Sequence, residues 1–349
     1  MPTSLIPPPP GVESNFVNPT SKLGGNIALH AVLLPLVTIL TLLRLFTRLR
    51  VMKVKLGVDD YLALVNFALT VVWSGLSLQA NISGVGRHEW DIEPATFFTA
   101  IKYFTIGSWF FTVLAANIRL TFLFLYLRLF GQNKKLRYVA YGGIVFVIAI
   151  NLVILLSLIF RCNPVRKSWD ITAPGTCVHS AIIPYISAVA SPVTDLFVFL
   201  LPLPIIVRLN MDTRKRLKLL AVFSIGLVSC IASLIRLGET PSLYASPDYT
   251  WRLSDLILWG TIEVDVGISC TCLILLPAFV AHYFRKGSHP YKTPSWISSI
   301  RLIPLRNRGS DANLEAQCHE VPVNEADASN SRPQSKPPSE SLQATEVTK

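Results

Sequence analysis

The chain has 349 residues, of which 51% are apolar and only 15% carry a charge. A soluble domain carries about 25% charged residues, and the apolar residues here fall in runs of roughly 20, enough to cross the hydrocarbon core of a bilayer. Six cysteines in so long a chain exclude a disulfide-rich secreted scaffold, and the apolar content excludes a disordered regulator. The sequence therefore predicts an all-α polytopic membrane protein in contact with a lipid bilayer.

The net charge of +11 comes mainly from four clusters of Lys and Arg. Each cluster adjoins an apolar run, and the clusters alternate along the chain with less basic connections. Basic loops resist translocation, so the clusters indicate the cytoplasmic side of the membrane, and we expect no nucleic-acid partner. The clusters cover residues 44–55, 128–137, 208–218 and 285–308.

Seven apolar segments are predicted to be transmembrane helices. The third would be about 57 Å long at 1.5 Å per residue, which exceeds a straight span, so a tilt or a projecting end is expected. With the basic clusters inside, seven spans place the N-terminus outside and the C-terminus in the cytoplasm. The segments are residues 26–47, 60–82, 93–130, 138–160, 181–209, 217–237 and 253–283.

The chain divides into four regions. Residues 1–25 are predicted to be a flexible extracellular arm, because four consecutive prolines favour extended chain and a cleavable signal peptide is not indicated. Residues 26–285 form the seven-helix domain. Residues 286–308 are a basic juxtamembrane segment that fits either a helix on the membrane surface or a linker. Residues 309–349 have few large apolar side chains, so we expect a disordered cytoplasmic tail.

Two cysteines, Cys162 and Cys177, lie in the connection between the fourth and fifth helices, which the predicted topology places outside the cell. That compartment permits disulfides, and closing such a loop is worth about 3 kcal/mol in the chain-entropy model. We predict a disulfide between them, with two free thiols as the alternative. Cys230, Cys270 and Cys272 fall within spans, where cysteine behaves as a small apolar residue, and no metal site is indicated.

Four ionisable residues lie near the middle of predicted spans: Arg119, Asp195, Glu263 and Asp265. A charge at mid-bilayer costs several kcal/mol unless it is paired or hydrated, so we expect Arg119 to pair with Asp195 or with a carboxylate of the seventh helix. Glu263 and Asp265 are about 200° apart around a helix and can hardly face one partner. This intramembrane polar cluster is either functional, as a ligand pocket, switch or proton path, or a static ion pair.

Two adjacent carboxylates, Asp59 and Asp60, follow Gly57 at the start of the second helix. Aspartate caps helix N-termini by accepting backbone hydrogen bonds and by its interaction with the helix dipole. The alternative is a cytoplasmic latch, in which one of the carboxylates also binds Arg128 or Arg50.

A glycine-rich segment, Gly84-Val-Gly86-Arg-His88, follows the second helix on the predicted outer side. Two glycines so close together predict a tight turn. The alternative gives His88 a role as a pH-responsive or ligand-contacting group.

The sequence contains no catalytic constellation: it has no Gly-x-Ser-x-Gly, no His-Glu-x-x-His and no phosphate-binding loop. Each of these motifs supplies a nucleophile, a metal site or a phosphate cradle. We therefore expect neither an enzyme nor a bound cofactor.

Taken in order, several motifs resemble the fungal rhodopsin-domain family of seven-helix, receptor-like membrane proteins. The resemblance implies an architecture like that of G-protein-coupled receptors, a plasma-membrane location, an unknown extracellular ligand and a heterotrimeric G protein as a candidate partner. The motifs are Gly57-Val-Asp59-Asp60, Gly84-Val-Gly86-Arg-His88, Cys162-Asn-Pro164, Gly175-Thr-Cys177, Thr194-Asp195, Leu201-Pro-Leu-Pro204, Arg236-Leu237 and Glu263 before Leu276-Pro277.

Retinal is not expected as a ligand, despite the family's name. An opsin-type chromophore needs a lysine in the seventh helix for its Schiff base, and no lysine lies between Arg252 and Arg285.

Besides the receptor that the resemblance implies, two other functions remain open. One is a transporter or channel with a polar path through Arg119, Asp195 and Glu263, although the internal repeats common in transporters are not detected. The other is a membrane scaffold without a ligand.

Overall fold

The computed structural model describes residues 6–53, 55–130, 134–170, 172–178, 181–203, 213–276 and 279, with the backbone alone for 129–130 and 213–223. These residues lie in one compact unit, Met1–Ile300, and they form seven α-helices and one short hairpin. The predicted segments 286–308 and 309–349 lie outside the described residues. The helices are α1 Leu23–Phe46, α2 Val58–Ile82, α3 Pro94–Phe130, α4 Lys134–Ile159, α5 Ile182–Leu200, α6 Thr213–Ala245 and α7 Tyr249–Leu273.

Six of these helices, all except α6, are long and apolar enough to cross a membrane. Their outward faces carry large apolar side chains: on α4, Val145 is 68% exposed and Val153 is 63% exposed. Such faces suit lipid, in which helices satisfy their backbone hydrogen bonds internally. The chain is therefore an all-α membrane protein.

Helix α7 packs against four other helices, α1, α2, α3 and α6. Its buried face includes Leu253, Ile257 and Ile268, which join Trp73 of α2 and Phe111 of α3 in the main apolar core. Trp73 and Phe111 have ring centroids 5.1 Å apart, and the Trp73 indole donates a hydrogen bond to Thr261 of α7 at 3.1 Å. The core thus lies around α7.

Contacts at the two ends show that successive helices run in alternate directions. At one end, Asp60 at the start of α2 pairs with Arg44 of α1 and Arg128 of α3; we name this the aspartate end. At the other, Gly86 after α2 donates to Thr250 at the start of α7 at 3.0 Å. The Cys162–Cys177 hairpin joins α4 to α5 at this second end, which we name the disulfide end.

Helix α6 is longer than the sequence predicted. The segment Gly238-Glu-Thr-Pro241 has the composition of a loop, yet the helix continues through it to Ala245 with Pro241 inside. Packing explains the difference, because Thr240 and Leu243 are each 3% exposed. Helix α1 also continues, as a π-helical turn over Thr47–Val51.

The N-terminal arm makes contacts that its composition did not indicate. Asn15 donates a backbone hydrogen bond to Asp91 at 2.8 Å, and the Lys22 ammonium lies 2.7 Å from an Asp255 carboxylate oxygen. Lys22 also lies over the Trp251 ring, 4.4 Å from its centroid. The part of the arm next to α1 is therefore held against the disulfide end.

Candidate functional site

The hairpin between α4 and α5 contains the predicted disulfide, which is confirmed. Cys162 and Cys177 are bonded and face each other in a two-residue antiparallel ladder of Cys162–Asn163 and Thr176–Cys177. The Val178 amide extends this ladder by donating to the Arg161 carbonyl at 3.0 Å. The bridge therefore fixes the backbone of Arg161, whose side chain lines a cavity described below.

The glycine-rich segment forms the predicted turn. Gly84 and Gly86 have φ values of 118° and 84°, a region that side chains other than glycine rarely adopt. At Gly86 a Cβ atom would also lie 3.0 Å from the Ser254 hydroxyl. Glycine is thus required there by its conformation and by the close approach of α7.

His88 is stacked between two indole rings, those of Trp90 and Trp251. The ring centroids are 4.6 Å and 4.2 Å from that of His88, with interplanar angles of 7° and 10°. Its Nδ1 lies 2.5 Å from a carboxylate oxygen of Asp248, just before α7. The contacts hold the α2–α3 connection against the start of α7, whereas the proposed ligand or pH role of His88 stays a prediction.

The neighbouring carboxyl group, Glu89, is buried in the same region and lies outside the helices that can span a membrane. Burial raises its pKa, as does the adjacent Asp248 carboxylate, and a hydrogen bond from the Tyr249 amide opposes them. A carboxyl group with a raised pKa binds its proton more tightly in the folded protein than in the unfolded one. Its contribution to stability is complete at low pH and is lost as the pH rises through the folded pKa.

We expect the substitution Glu89→Gln to remove this pH dependence. At pH 4 the variant and the wild type should have similar melting temperatures, and between pH 4.5 and 7 the variant should become the more stable, since its amide stays neutral. Thermal unfolding of the purified chain in detergent, followed by tryptophan fluorescence, measures this difference. Melting temperatures that differ by the same amount at every pH would contradict the assignment.

Three of the four ionisable residues predicted near mid-span, Arg119, Asp195 and Glu263, come together between α3, α5 and α7. The Arg119 Nε donates to Asp195 at 2.8 Å, and its Nη2 donates to the Ser191 hydroxyl at 2.6 Å. Ser191 in turn donates to Glu263 at 3.0 Å, and the Arg119 guanidinium lies 3.8 Å from the Glu263 carboxylate. Arg119 therefore contacts both of the partners that the sequence proposed for it.

A second arginine, Arg236 of α6, completes this group. Its Nε donates to Glu263 at 2.9 Å, and its guanidinium lies 4.7 Å from the centroid of the Phe111 ring. We name Arg119, Ser191, Asp195, Arg236 and Glu263 the central cluster. It contains two cations and two carboxylates, so the charges within it balance.

Asp265 does not belong to the central cluster, which corrects the sequence prediction. The residue is 1% exposed, and neither carboxylate oxygen has a hydrogen-bond partner among the described residues. The reason is helical geometry: two residues along from Glu263, its side chain points to the other side of α7. Asp265 lies one turn from Thr261, on the face that meets Trp73 of α2.

We expect Asp265 and Asp195 to differ in their effect on stability. Asp265→Asn removes a buried carboxylate that has no donor, so the melting temperature should stay the same or rise. Asp195→Asn leaves Arg119 without its charged partner on α5, so the melting temperature should fall by several degrees. Unfolding of both variants in detergent checks this, and an equal fall in both would mean that Asp265 has a charged partner.

The second charge cluster lies at the aspartate end and ties α1, α2 and α3 together. Asp59 accepts from Arg44 at 2.7 Å and Arg48 at 3.0 Å, and Arg128 binds it at 2.7 Å. Asp60 contacts the same three arginines, at 3.0 to 3.1 Å. We name these five residues the aspartate cluster.

The structure corrects the predicted latch in one respect. Asp59 and Asp60 do bind Arg128, but the other partners are Arg44 and Arg48 rather than Arg50. Arg44 and Arg48 are four residues apart on one helical face, which meets the start of α2. Arg44 also donates to the Thr271 carbonyl of α7 at 2.7 Å, so the cluster reaches a fourth helix.

Capping and ion pairing occur together at this site. The Asp60 carboxylate accepts a hydrogen bond from the Gly57 amide at 3.1 Å, as a residue in the first turn of a helix often does. A Cβ atom on Gly57 would lie 2.6 Å from Nη1 of Arg128. Glycine at this position therefore gives Arg128 access to the carboxylates.

Two members of the aspartate cluster should differ sharply when substituted. Asp60→Asn leaves three buried arginines with one carboxylate, and breaking a buried pair costs about 3–5 kcal/mol. Arg128→Gln leaves two arginines with two carboxylates, so its loss of stability should be clearly smaller. The yield of monodisperse protein and its melting temperature in detergent measure both effects. A larger loss in Arg128→Gln would contradict this charge count.

A cavity of about 140 Å³ opens between α3, α5, α6 and α7 at the disulfide end. Aromatic side chains line much of it, and the hairpin contributes Arg161 and Ser168. Arg236 of the central cluster also lines it. No pattern in the sequence indicates this cavity, because its walls come from distant parts of the chain: mainly α3, α5, α6, α7 and the hairpin, with one residue each from α2 and α4. The lining aromatic residues are Trp73, Phe104, Trp109, Phe111, Tyr244 and Tyr249.

Two smaller cavities flank the central cluster. One of about 20 Å³ is lined by Arg236, Arg119 and Ser191. The other, about 50 Å³, is lined by Arg119 and Asp195 and lies nearer the aspartate end, beside Tyr126. Arg236 thus lines both the large cavity and the 20 Å³ cavity, and Arg119 lines both small cavities.

Comparison with known proteins identifies one family. The sequence profile described as the fungal rhodopsin domain matches residues 43–282, which is more than half of the chain. No solved structure matches significantly.

The chain is similar to several curated fungal proteins. It is 29% identical over 244 residues to a SAT4 family membrane protein of Emericella nidulans, an alignment that covers 69% of this chain and 60% of the relative. It is 25% identical over 284 residues to the Fugralins biosynthesis cluster protein 2 of Gibberella zeae, covering 78% and 69%. With Receptor GIN3 of Arthrobotrys oligospora it shares 22% identity over 250 residues, covering 70% and 59%.

Proposed function

Because the chain belongs to the fungal rhodopsin domain family, we propose that it is a plasma-membrane receptor with seven transmembrane helices. The disulfide end faces outward and the aspartate end faces the cytoplasm, as the four basic clusters of the sequence indicate. The 33-residue helix α6 is the remaining span. One relative of this chain is named as a receptor, which favours this function over a scaffold.

The ligand binds in the large cavity, beneath the disulfide-bonded hairpin. This proposal rests on one observation above all: Arg236 lines the cavity and also binds Glu263 of the central cluster. A ligand that contacts Arg236 competes with Glu263 for the same guanidinium. Binding is therefore coupled to the contacts between α3, α5, α6 and α7.

The ligand is held without a covalent bond, and the protein is not an enzyme. No lysine is among the described residues that line the cavity, so they offer no amine for a Schiff base of the kind that retinal forms. Several hydroxyl groups line the cavity, including those of Ser108 and Thr112, but no histidine is among the described residues that line it. A serine or threonine needs an adjacent base to act as a nucleophile.

At the cytoplasmic end, the signal breaks contacts within the aspartate cluster. This cluster holds the end of α3, through Arg128, against the start of α2. Rearrangement of the central cluster moves α3, which carries both Arg119 and Arg128. Loss of the Arg128 contacts then frees the cytoplasmic end for a transducer, for which we propose a heterotrimeric G protein.

Releasing this contact by mutation should activate the receptor without ligand. In membranes that contain the chain and a heterotrimeric G protein, Arg128→Gln should raise basal GTPγS binding several-fold above wild type, because it weakens the state that holds the helices together. Surface amounts are matched first by cell-surface biotinylation.

The matched control is Arg166→Gln, the same change in another ion pair. Arg166 pairs with Asp170 at 3.1 Å, but its side chain is 74% exposed, and such pairs contribute little. Its basal GTPγS binding should equal that of wild type. Equal binding in Arg128→Gln and wild type, at equal surface amounts, would contradict the role of the aspartate cluster.

A transporter or channel is the second candidate function. It is favoured by the row of cavities that share Arg236 and Arg119, since polar residues along a path are typical of ion and solute pathways. In this case Asp195→Asn and Glu263→Gln would alter solute flux in vesicles, while Arg128→Gln would leave GTPγS binding unchanged.

A further inference from the structure

The large cavity contains hydrogen-bond donors that nothing in the described protein satisfies. The Trp109 Nε1, the Arg161 Nε and the Ser168 hydroxyl are buried without a hydrogen-bond partner, and all three residues line the cavity. Tryptophan and arginine side chains have no acceptor atom. A buried donor without a partner costs free energy. A ligand that offers a hydrogen-bond acceptor to these donors therefore binds more tightly.

The charges of the cavity are also unbalanced. Its lining contains two arginines, Arg161 and Arg236, and no carboxylate. Arg236 is paired with Glu263 behind the cavity wall. Arg161 lies beside the Tyr244 hydroxyl, and no carboxylate of the described residues is within ion-pair distance of it. One positive charge at the cavity thus has no counterion from the described residues, which favours an anionic ligand.

The apolar walls define the rest of the ligand. The space of about 140 Å³ is close to that of an engineered apolar cavity, of about 150 Å³, that holds one benzene ring. Phe104, Phe111 and Tyr244 contribute aromatic faces to it, and aromatic rings pack well on one another in offset or edge-to-face arrangements. The apolar part of the ligand is therefore a single ring rather than two.

We infer that the cavity binds a small aromatic carboxylic acid, with its carboxylate on Arg161 and Trp109 and its ring among the aromatic side chains. This inference deepens the proposed receptor function and rests on it for its biological meaning. Arginine suits this role because its guanidinium binds a carboxylate through two parallel hydrogen bonds. The disulfide contributes by fixing the backbone of Arg161.

The test uses the full chain in lipid nanodiscs, with phenylacetate as the probe. Benzoate is a shorter acid, while phenylacetamide and phenethylamine replace the carboxylate with a neutral and a cationic group. Saturation-transfer NMR and calorimetric titration should give phenylacetate an affinity at least about tenfold above that of the amide. The amine should not bind. Equal affinities for the acid and the amide would overturn the inference.

Variants distinguish the loss of carboxylate binding from general damage to the fold. Arg161→Gln should lower phenylacetate affinity about tenfold, Arg161→Lys should lower it less, and Trp109→Phe should weaken it while keeping an aromatic wall. Arg166→Gln, in the same hairpin but outside the cavity lining, is the matched control and should bind as wild type does. Unchanged affinity in both Arg161→Gln and Trp109→Phe would overturn the inference.

The inference and the receptor proposal fail in different ways. If phenylacetate does not bind but Arg128→Gln raises GTPγS binding, the receptor proposal stands and the ligand class is wrong. If phenylacetate binds with the expected variant effects but never changes GTPγS binding, the site stands and the receptor proposal is wrong.

Discussion

The cost of leaving a charge unpaired among apolar helices determines how this bundle is held together. Lipid-facing side chains are interchangeable, and helices in lipid gain no hydrophobic energy from packing on one another. Ionisable groups are different, because a charge inside the bundle is costly unless it is paired or hydrated. The central cluster joins α3, α5, α6 and α7, and the aspartate cluster joins α1, α2, α3 and α7. Helices α3 and α7 take part in both, and both lie close to the main apolar core.

This arrangement connects the large cavity to the central cluster through one side chain. A cavity lined only by apolar side chains would let a ligand bind with little effect on the helices. Here one lining side chain, Arg236, is also a partner of a buried carboxylate on α7. In the proposed receptor, a ligand that contacts Arg236 acts on the same cation as Glu263, which couples the cavity to the contact between α6 and α7. The disulfide-bonded hairpin contributes Arg161 and Ser168 to the lining of the same cavity.

The sequence predicted the parts of the site that follow from local rules. Arg119 and Asp195 were found because a charge inside an apolar run demands a partner, and Cys162 and Cys177 because they share one extramembranous connection. Arg236 was not predicted to join the cluster because the sixth helix was predicted to end at residue 237, one residue beyond it. Tertiary packing carries the helix on to Ala245, which places Arg236 well inside.

Arg44 and Arg48 were overlooked for another reason. They belong to a basic cluster, and basic clusters beside apolar runs indicate orientation in general. Their four-residue spacing is compatible with one helical face, but only the path of the chain between α1 and α2 shows that this face meets Asp59 and Asp60. The sandwich of His88 between Trp90 and Trp251 has a similar origin. It joins the α2–α3 connection to a tryptophan that is distant along the chain, and no local pattern links the two.

The two clusters differ in charge balance, and this difference suits them to different tasks. The central cluster is neutral, so any change of partners within it must be an exchange. The aspartate cluster has three arginines for two carboxylates, and one nitrogen each of Arg48 and Arg128 lacks a partner among the described residues. Its surplus cation can leave without exposing a bare carboxylate. Arg128 is the most exposed of the three arginines, with 13% of its side chain accessible against 1–2% for the others. It is therefore the member whose departure costs least, and it lies on α3, the helix that also carries Arg119.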